Sequence, residues 1–299
     1  MEQRRRIGAY GVCRDGERVL LVRGSAAADF PGVWQLPGGG LDHAEHPEAA
    51  VVREFAEETG LAVEAAGLRD AVADVTRFPD LGVALHTDRI IFDVTPTGGT
   101  LRDEVDQTTD LAAWFTPAEA AGLSLLPFTA ELLGLPVTPL PARTARAPFE
   151  PAPTDRRQRF AAYGLVTDPA GRVLLTMIAD GYPGAGKWHL PGGGTDHGEQ
   201  PAAGLLRELV EEAGQLGRVV DLLAVDNLHN PAALGPEGRP LDWHGVRVIY
   251  RVRVDAPTEA MVTELAGGST ARAAWFAPEQ ISELRLTDVA VLATGRRGR

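Results

Sequence analysis

Three glutamates recur twice in this chain at helical spacing, each time behind a run of glycines. Glu54, Glu57 and Glu58 follow Gly38-Gly39-Gly40, and Glu208, Glu211 and Glu212 follow Gly192-Gly193-Gly194. Residues at i, i+3 and i+4 share one helix face, so each trio can present its oxygens to one point. Hard oxygen donors of this kind suit Mg²⁺ or Mn²⁺. Clustered acids repel one another on a bare helix, and a cation reverses that balance. A single trio would read as a solvated acidic face. Two copies at one spacing, each behind glycines that let backbone approach a ligand, point instead to metal held against a phosphate chain. Gly39, Gly40, Gly193 and Gly194 are therefore candidate substrate contacts. Arg53 and Arg207 stand four residues before Glu57 and Glu211, placed to orient a carboxylate by a charge-assisted bond.

The elements that must position these groups are also written twice. Pro47 and Pro201 suit a first helical turn, and Gly60 and Gly214 suit a left-handed stop. Between them, Val52, Phe55 and Ala56, or Leu206, Leu209 and Val210, form an apolar stripe expected to dock on a sheet. The acids are then expected to face solvent or a cleft. RVLLVRG returns as RVLLTMI, WQLPGGG as WHLPGGG, and Trp114-Phe115 as Trp275-Phe276. A duplicated α/β domain follows, each copy ending in a closing helix begun by Pro117 or Pro278. The proline-rich stretch 136–156 reads as a stiff linker between domains 1–135 and 157–299.

Composition sets bounds. A length of 299 residues fits roughly two domains. The net charge of −12 argues against stable binding to nucleic acid or anionic membranes. Residues 1–135 carry 11 basic against 22 acidic residues, and 157–299 carry 15 against 17. An acidic protein that handles phosphates needs a bridging cation. No apolar run approaches the roughly 20 residues of a membrane span, and no apolar block follows the basic start as in a secretory leader. Cys13 is the only cysteine, so it has no intrachain partner, and the chain fits a reducing, cytoplasmic compartment.

The two segments resemble the box of Nudix hydrolases, G-x5-E-x7-R-E-U-x-E-E-x-G-U. One copy reads Gly39, Glu45, Arg53-Glu54-Phe55, Glu57-Glu58, Gly60-Leu61; the other reads Gly193, Glu199, Arg207-Glu208-Leu209, Glu211-Glu212, Gly214-Gln215. Gln215 replaces the last aliphatic residue, a change expected to loosen a core contact. The resemblance covers both halves outside the linker. It implies two tandem α/β/α sandwich domains, each around a mixed β-sheet. It also implies Mg²⁺- or Mn²⁺-dependent cleavage of nucleoside diphosphate-linked compounds: (oxidised) nucleoside triphosphates, ADP-ribose or dinucleoside polyphosphates. On this resemblance Glu54, Glu57 and Glu58 with the Gly38 carbonyl would ligate metal. Glu208, Glu211 and Glu212 with the Gly192 carbonyl would do the same, and Glu45 and Glu199 would support the metal shell. Glu104 and Glu264 are candidate general bases. Arg23 is a candidate phosphate contact, replaced by Met177 in the second half, and Lys187 is another. His86 with Arg89, and His244 with Arg247, read as surface pairs on a strand. The arginines at 4–6 and 156–159 read as solvated strand lead-ins, with contact to phosphate as the alternative. The alternative to two active halves is one catalytic domain and one nucleotide-binding or regulatory module. The fused pair would form an internal pseudo-dimer, or the domains would sit independently in a monomer or dimer.

Overall fold

The strand that begins each half has both faces covered. Ile7, Ala9 and Cys13 are buried on one side of the first strand, Tyr10 and Val12 on the other, as expected for an interior strand of a layered domain. A computed structural model describes residues 1–104, 107–141, 155–234, 240–263 and 268–295. It divides the chain into two units, Met1–Thr154 and Asp155–Arg299.

The first unit runs β1 (Glu2–Asp15), β2 (Arg18–Gly24), β3 (Trp34–Gln35), β4 (Gly38–Gly40), α1 (Pro47–Thr59), β5 (Leu61–Phe78), β6 (Val83–Gly99), β7 (Thr109–Phe115), α2 (Pro117–Ala120) and α3 (Pro127–Leu132). Its sheet is mixed. Strand order is β3-β2-β1-β6-β5, with β4 on β1 and β7 on β2, and β1 runs parallel to β6 from Glu2↔Val83 to Cys13↔Val94. Gly11 admits the Phe55 ring of α1, since a Cβ there would lie 2.5 Å from Phe55 Cε2. On the opposite face Phe128 of α3 lies 5.0 Å, ring to ring, from Tyr10. Helices therefore cover both faces of the sheet, an α/β/α sandwich.

The second unit repeats the plan with β8 (Arg156–Thr167), β9 (Val173–Ile178), β10 (Trp188–His189), β11 (Gly192–Gly194), α4 (Pro201–Ala213), β12 (Arg218–Leu234), β13 (Pro240–Arg253), β14 (Thr270–Phe276), α5 (Pro278–Ile281) and α6 (Asp288–Thr294). Strand order is β10-β9-β8-β13-β12, with β11 on β8 and β14 on β9. Trp34 and Trp188 are buried edge-to-face on Phe115 and Phe276, at 4.8 and 4.7 Å. No described helix is long and apolar enough to cross a membrane.

Four expectations need revision. The buried stripe of α1 is Pro47, Ala50, Val51, Phe55, Glu58 and Thr59, so Val52 and Ala56 do not form it. In α4 it is Pro201, Gly204, Leu205, Leu209, Glu212 and Ala213, and Val210 is exposed. At about 100° per residue, Glu58 falls about 20° from Val51, between it and Glu54, so the acidic and apolar faces overlap at the seam between helix and sheet.

The closing helix is divided in each unit. In the first, the capping box of Thr116 and Glu119 starts α2, which ends after one turn, and α3 then supplies the covering face. Gln215 does not loosen the core. It is 1% exposed, donates from Nε2 to Thr258 Oγ1 (2.9 Å) and Ala213 O (3.0 Å), and accepts from Thr258 N (3.0 Å). An amide with its polar atoms paired can replace an aliphatic side chain, and this one ties residue 258 to the end of α4.

The histidine pairs are interior, because β6 and β13 are central strands covered on both faces. His86 Nε2 lies 3.1 Å from Asp88 Oδ1, and Arg5 Nε donates to Asp88 Oδ2 at 2.6 Å. In the second unit the partners are neutral: His244 meets Gln158 (3.0 Å) and Asn227 (2.6 Å).

Candidate active site

Each glycine of the run makes room for a different group. Gly38 and Gly192 take φ of 137° and 130°, and a Cβ there would lie 2.3 Å from Ala9 O or 2.2 Å from Ala162 O. Their amides donate to Glu58 Oε2 (2.8 Å) and Glu212 Oε2 (2.9 Å). At Gly39 a Cβ would meet the Glu54 carboxylate, at Gly193 the Glu208 carboxylate, and at Gly40 and Gly194 the guanidinium groups of Arg6 and Arg159. The run is thus a floor on which charged side chains lie.

Arg53 gathers the acids. It donates through Nε and Nη2 to both oxygens of Glu45 (2.9 Å each), through Nη1 to Glu54 (2.9 Å) and Glu57 (3.2 Å), and through Nη2 to Gly40 O (3.0 Å). Arg207 makes the same set with Glu199 (3.0 and 3.1 Å), Glu208 (3.0 Å), Glu211 (3.2 Å) and Gly194 O (3.4 Å). Glu45 and Glu199 are therefore spent on the arginine, and on closing the turn at Asp42 N and Asp196 N.

Burial raises Glu54 and Glu208 above the ordinary carboxylate range, against the lowering influence of Arg53 and Arg207. Burial also lifts Glu58 well above that range, opposed by the Gly38 amide and reinforced by the charges of Glu54 and Glu104. Glu212 is pushed up to about 7, chiefly by burial, despite bonds from Thr270 and the Gly192 amide. These groups lie in an all-oxygen cluster whose members resist ionising together. That is the donor set a hard divalent cation fits.

Stripped of divalent metal, the protein is expected to lose stability as pH rises toward neutrality. Between about pH 4.5 and about pH 7 the folded protein keeps a proton on Glu212 that the unfolded chain has lost. Stability from this group is full below that window and is lost as pH rises through it. Thermal unfolding across the window should show a falling Tm, flattened in Glu212→Gln, and added Mg²⁺ should restore the wild-type Tm at the upper end. A wild-type profile parallel to that of Glu212→Gln would contradict this.

The first unit has a cleft of 680 Å³ lined by Arg6, Tyr10, Gly38, Glu54, Glu58 and Arg89, among others. Arg89 Nη1 donates to Asp74 at 2.7 Å and its guanidinium lies 4.3 Å from the Phe128 ring centroid. Position 35 contributes Gln35 to this cleft. Its counterpart His189 is held neutral at a pKa of about 4, by burial and then by Arg247, and lies 2.6 Å from Thr287 Oγ1. The halves also spend an equivalent threonine differently. Thr109 donates to Glu104 Oε2 through its hydroxyl (2.6 Å) and amide (3.2 Å), whereas the Thr270 hydroxyl donates to Glu212.

The remaining candidates are dispersed. Arg23 Nε donates to Asp110 at 2.8 Å and the side chain stacks toward Trp34, so it is engaged near the end of β2 and does not line the cleft. The Lys187 backbone closes a turn with Gly184 and Ile178. Glu264 and positions 142–154 of the linker lie outside the described residues. Sequence reasoning set Arg6 and Arg159 among solvated strand lead-ins, whereas Arg6 lines the cleft, and it passed over Thr109 and Thr270. Strand parity, which sets Arg6 beside Tyr10, was the available signal for that arginine.

Comparison with known proteins follows the same division. A model of the NUDIX domain matches residues 2–133 and again 157–293. A MutT-like protein from Streptomyces ambofaciens is 36% identical over 110 residues, which cover 37% of this chain and 62% of that protein. The chain thus aligns with less than two thirds of that relative. An 8-oxo-dGTP diphosphatase from Proteus vulgaris is 35% identical over 79 residues, covering 26% of this chain and 69% of that one. Among solved structures, a MutT NUDIX hydrolase from Burkholderia pseudomallei is similar over 44% of this chain and 97% of its own, at 26% identity and a TM-score of 0.37.

Proposed function

From the premise that the chain belongs to the NUDIX domain family, in tandem, we propose that it is a metal-dependent hydrolase of nucleoside diphosphate-linked compounds. The observation that carries this reading is the carboxylate cluster on a glycine floor, gathered by one arginine and built the same way in both halves. Domains 1–135 and 157–299 would each hold one site, joined by 136–156. Glu54, Glu57, Glu58 and the Gly38 carbonyl would hold Mg²⁺ or Mn²⁺ in one, and Glu208, Glu211, Glu212 and the Gly192 carbonyl in the other.

When bound, the cation would neutralise phosphate charge and make water more acidic. The chain's own contributions are positional. Arg53 and Arg207 fix the carboxylates before substrate arrives, so little reorganisation is needed during reaction. Glu104 receives both Thr109 donors on Oε2, which leaves Oε1 to take a proton from attacking water. Cleavage of the P–O bond then sends that bond's electrons to the leaving phosphate. Substrate classes within this reading are nucleoside triphosphates, including oxidised ones such as that named for the Proteus relative, ADP-ribose and dinucleoside polyphosphates. A cytoplasmic setting agrees with a lone, buried Cys13, whose thiol burial pushes up to about 11.

The second reading, one catalytic half and one binding half, draws on Gln35 against His189 and on the different use of Thr109 and Thr270. A nucleotide panel with Mg²⁺, scored for released phosphate and pyrophosphate, tests both. Turnover of at least one member is expected, and turnover of none, with Mg²⁺ or Mn²⁺, would reject the hydrolase. Assigning each product through Glu57→Gln and Glu211→Gln singly separates two active halves from one.

A further inference from the structure

Three arginines stand in a row at the start of β1, and the fold spends two of them. Arg4 pairs with Glu2 at 2.8 Å. Arg5 grips Asp88 with Nε and Nη2, at 2.6 and 3.0 Å. Alternation turns Arg6 to the other face, beside Tyr10, into the cleft that Glu54 and Glu58 also line. There it makes no hydrogen bond or ion pair among the described residues, although its charge acts on both glutamates. It lies instead on a glycine: a Cβ at Gly40 would be 2.9 Å from Nε and 3.1 Å from Nη2.

The second half repeats the arrangement. Arg159 is unpaired among the described residues, its charge acts on Glu208, and a Cβ at Gly194 would meet its Nε at 2.7 Å. A guanidinium held beside acids yet not paired with them, twice, is a group kept for an anion from outside. The alternative arginine for that task, Arg23, is tied to Asp110 and has no counterpart in the second half, where Met177 stands.

We propose that Arg6 and Arg159 grip the diphosphate of the substrate, each with the planar fork of its guanidinium, beside the carboxylates of its own half. The inference rests on the hydrolase reading above. A guanidinium offers two parallel donors to phosphate oxygens, so a diphosphate would have its charge shared between cation and arginine. The third glycine of each run is then explained, because any side chain there would displace the fork.

The test uses the full chain and methylenediphosphonate, a diphosphate that cannot be hydrolysed, titrated calorimetrically in the presence of Mg²⁺. Mn²⁺ affinity is measured separately by electron paramagnetic resonance, and Tm is recorded for every variant. Arg6→Ala with Arg159→Ala should weaken methylenediphosphonate binding about tenfold or more and leave Mn²⁺ affinity unchanged. Lys at both positions should recover only part of the loss, because it keeps charge without the fork. Gly40→Ala with Gly194→Ala, which keeps both arginines but pushes them aside, should also weaken binding. Wild-type affinity in the double alanine variant overturns the inference alone, as does a loss of Mn²⁺ affinity in the same proportion. Absence of binding to the unaltered protein overturns this inference alone, whereas absence of turnover across the nucleotide panel overturns the hydrolase reading and this inference with it.

Discussion

Glu57→Gln combined with Glu211→Gln is expected to abolish Mg²⁺-dependent turnover, by about 10³-fold or more. Charge stabilisation by a catalytic cation is worth several kcal/mol, and each 1.4 kcal/mol or so is a factor of ten. These two positions are chosen because their side chains are 51% and 20% exposed, whereas Glu58 and Glu212 lie inside and accept from the Gly38 and Gly192 amides, so their substitution would also alter the glycine run. Glutamine keeps the shape and removes the charge. Each single variant should lose the share of activity belonging to its own half, and the double should lose both while retaining a wild-type Tm. Full activity in the double variant would show that the clusters do not carry the chemistry.

Replacing Arg53 and Arg207 by alanine should lower activity and Mg²⁺ affinity by about 10–100-fold, the range found when groups that orient metal ligands are removed. Each arginine holds three carboxylates and one carbonyl at once. Without it, the acids lose both their orientation and their local counter-charge. Lysine should rescue little, because one ammonium cannot reproduce five fixed donors. Mg²⁺ activation curves at constant pH check this. Recovery of wild-type curves by lysine would mean that charge alone, not the fork, sets the site.

Much of this was legible in the chain. Pro47 with Gly60, and Pro201 with Gly214, bound helices that run Pro47–Thr59 and Pro201–Ala213, because proline and glycine act through local backbone geometry. The glutamate spacing was equally local. What was hidden depends on partners far along the chain. The burial of Glu58 follows from the sheet under α1, and the helical wheel alone set the acids on the wrong side of that seam. Arg4, Arg5 and Arg6 look alike as letters. Only Asp88, 83 residues away, shows that Arg5 is spent and Arg6 is not. Gln215 looked like a defect because its partner, Thr258, lies 43 residues on. Thr109 and Thr270 occupy equivalent places with different partners, and no local pattern distinguishes them.

The most direct measurement is the Mn²⁺ stoichiometry of the full chain, by electron paramagnetic resonance, for wild type, Glu57→Gln, Glu211→Gln and the double variant. The account predicts binding in both halves of the wild type, removal of one half's ions by each single substitution, and neither set in the double variant. Equal Mn²⁺ binding by the wild type and the double variant, or none by the wild type, would contradict it.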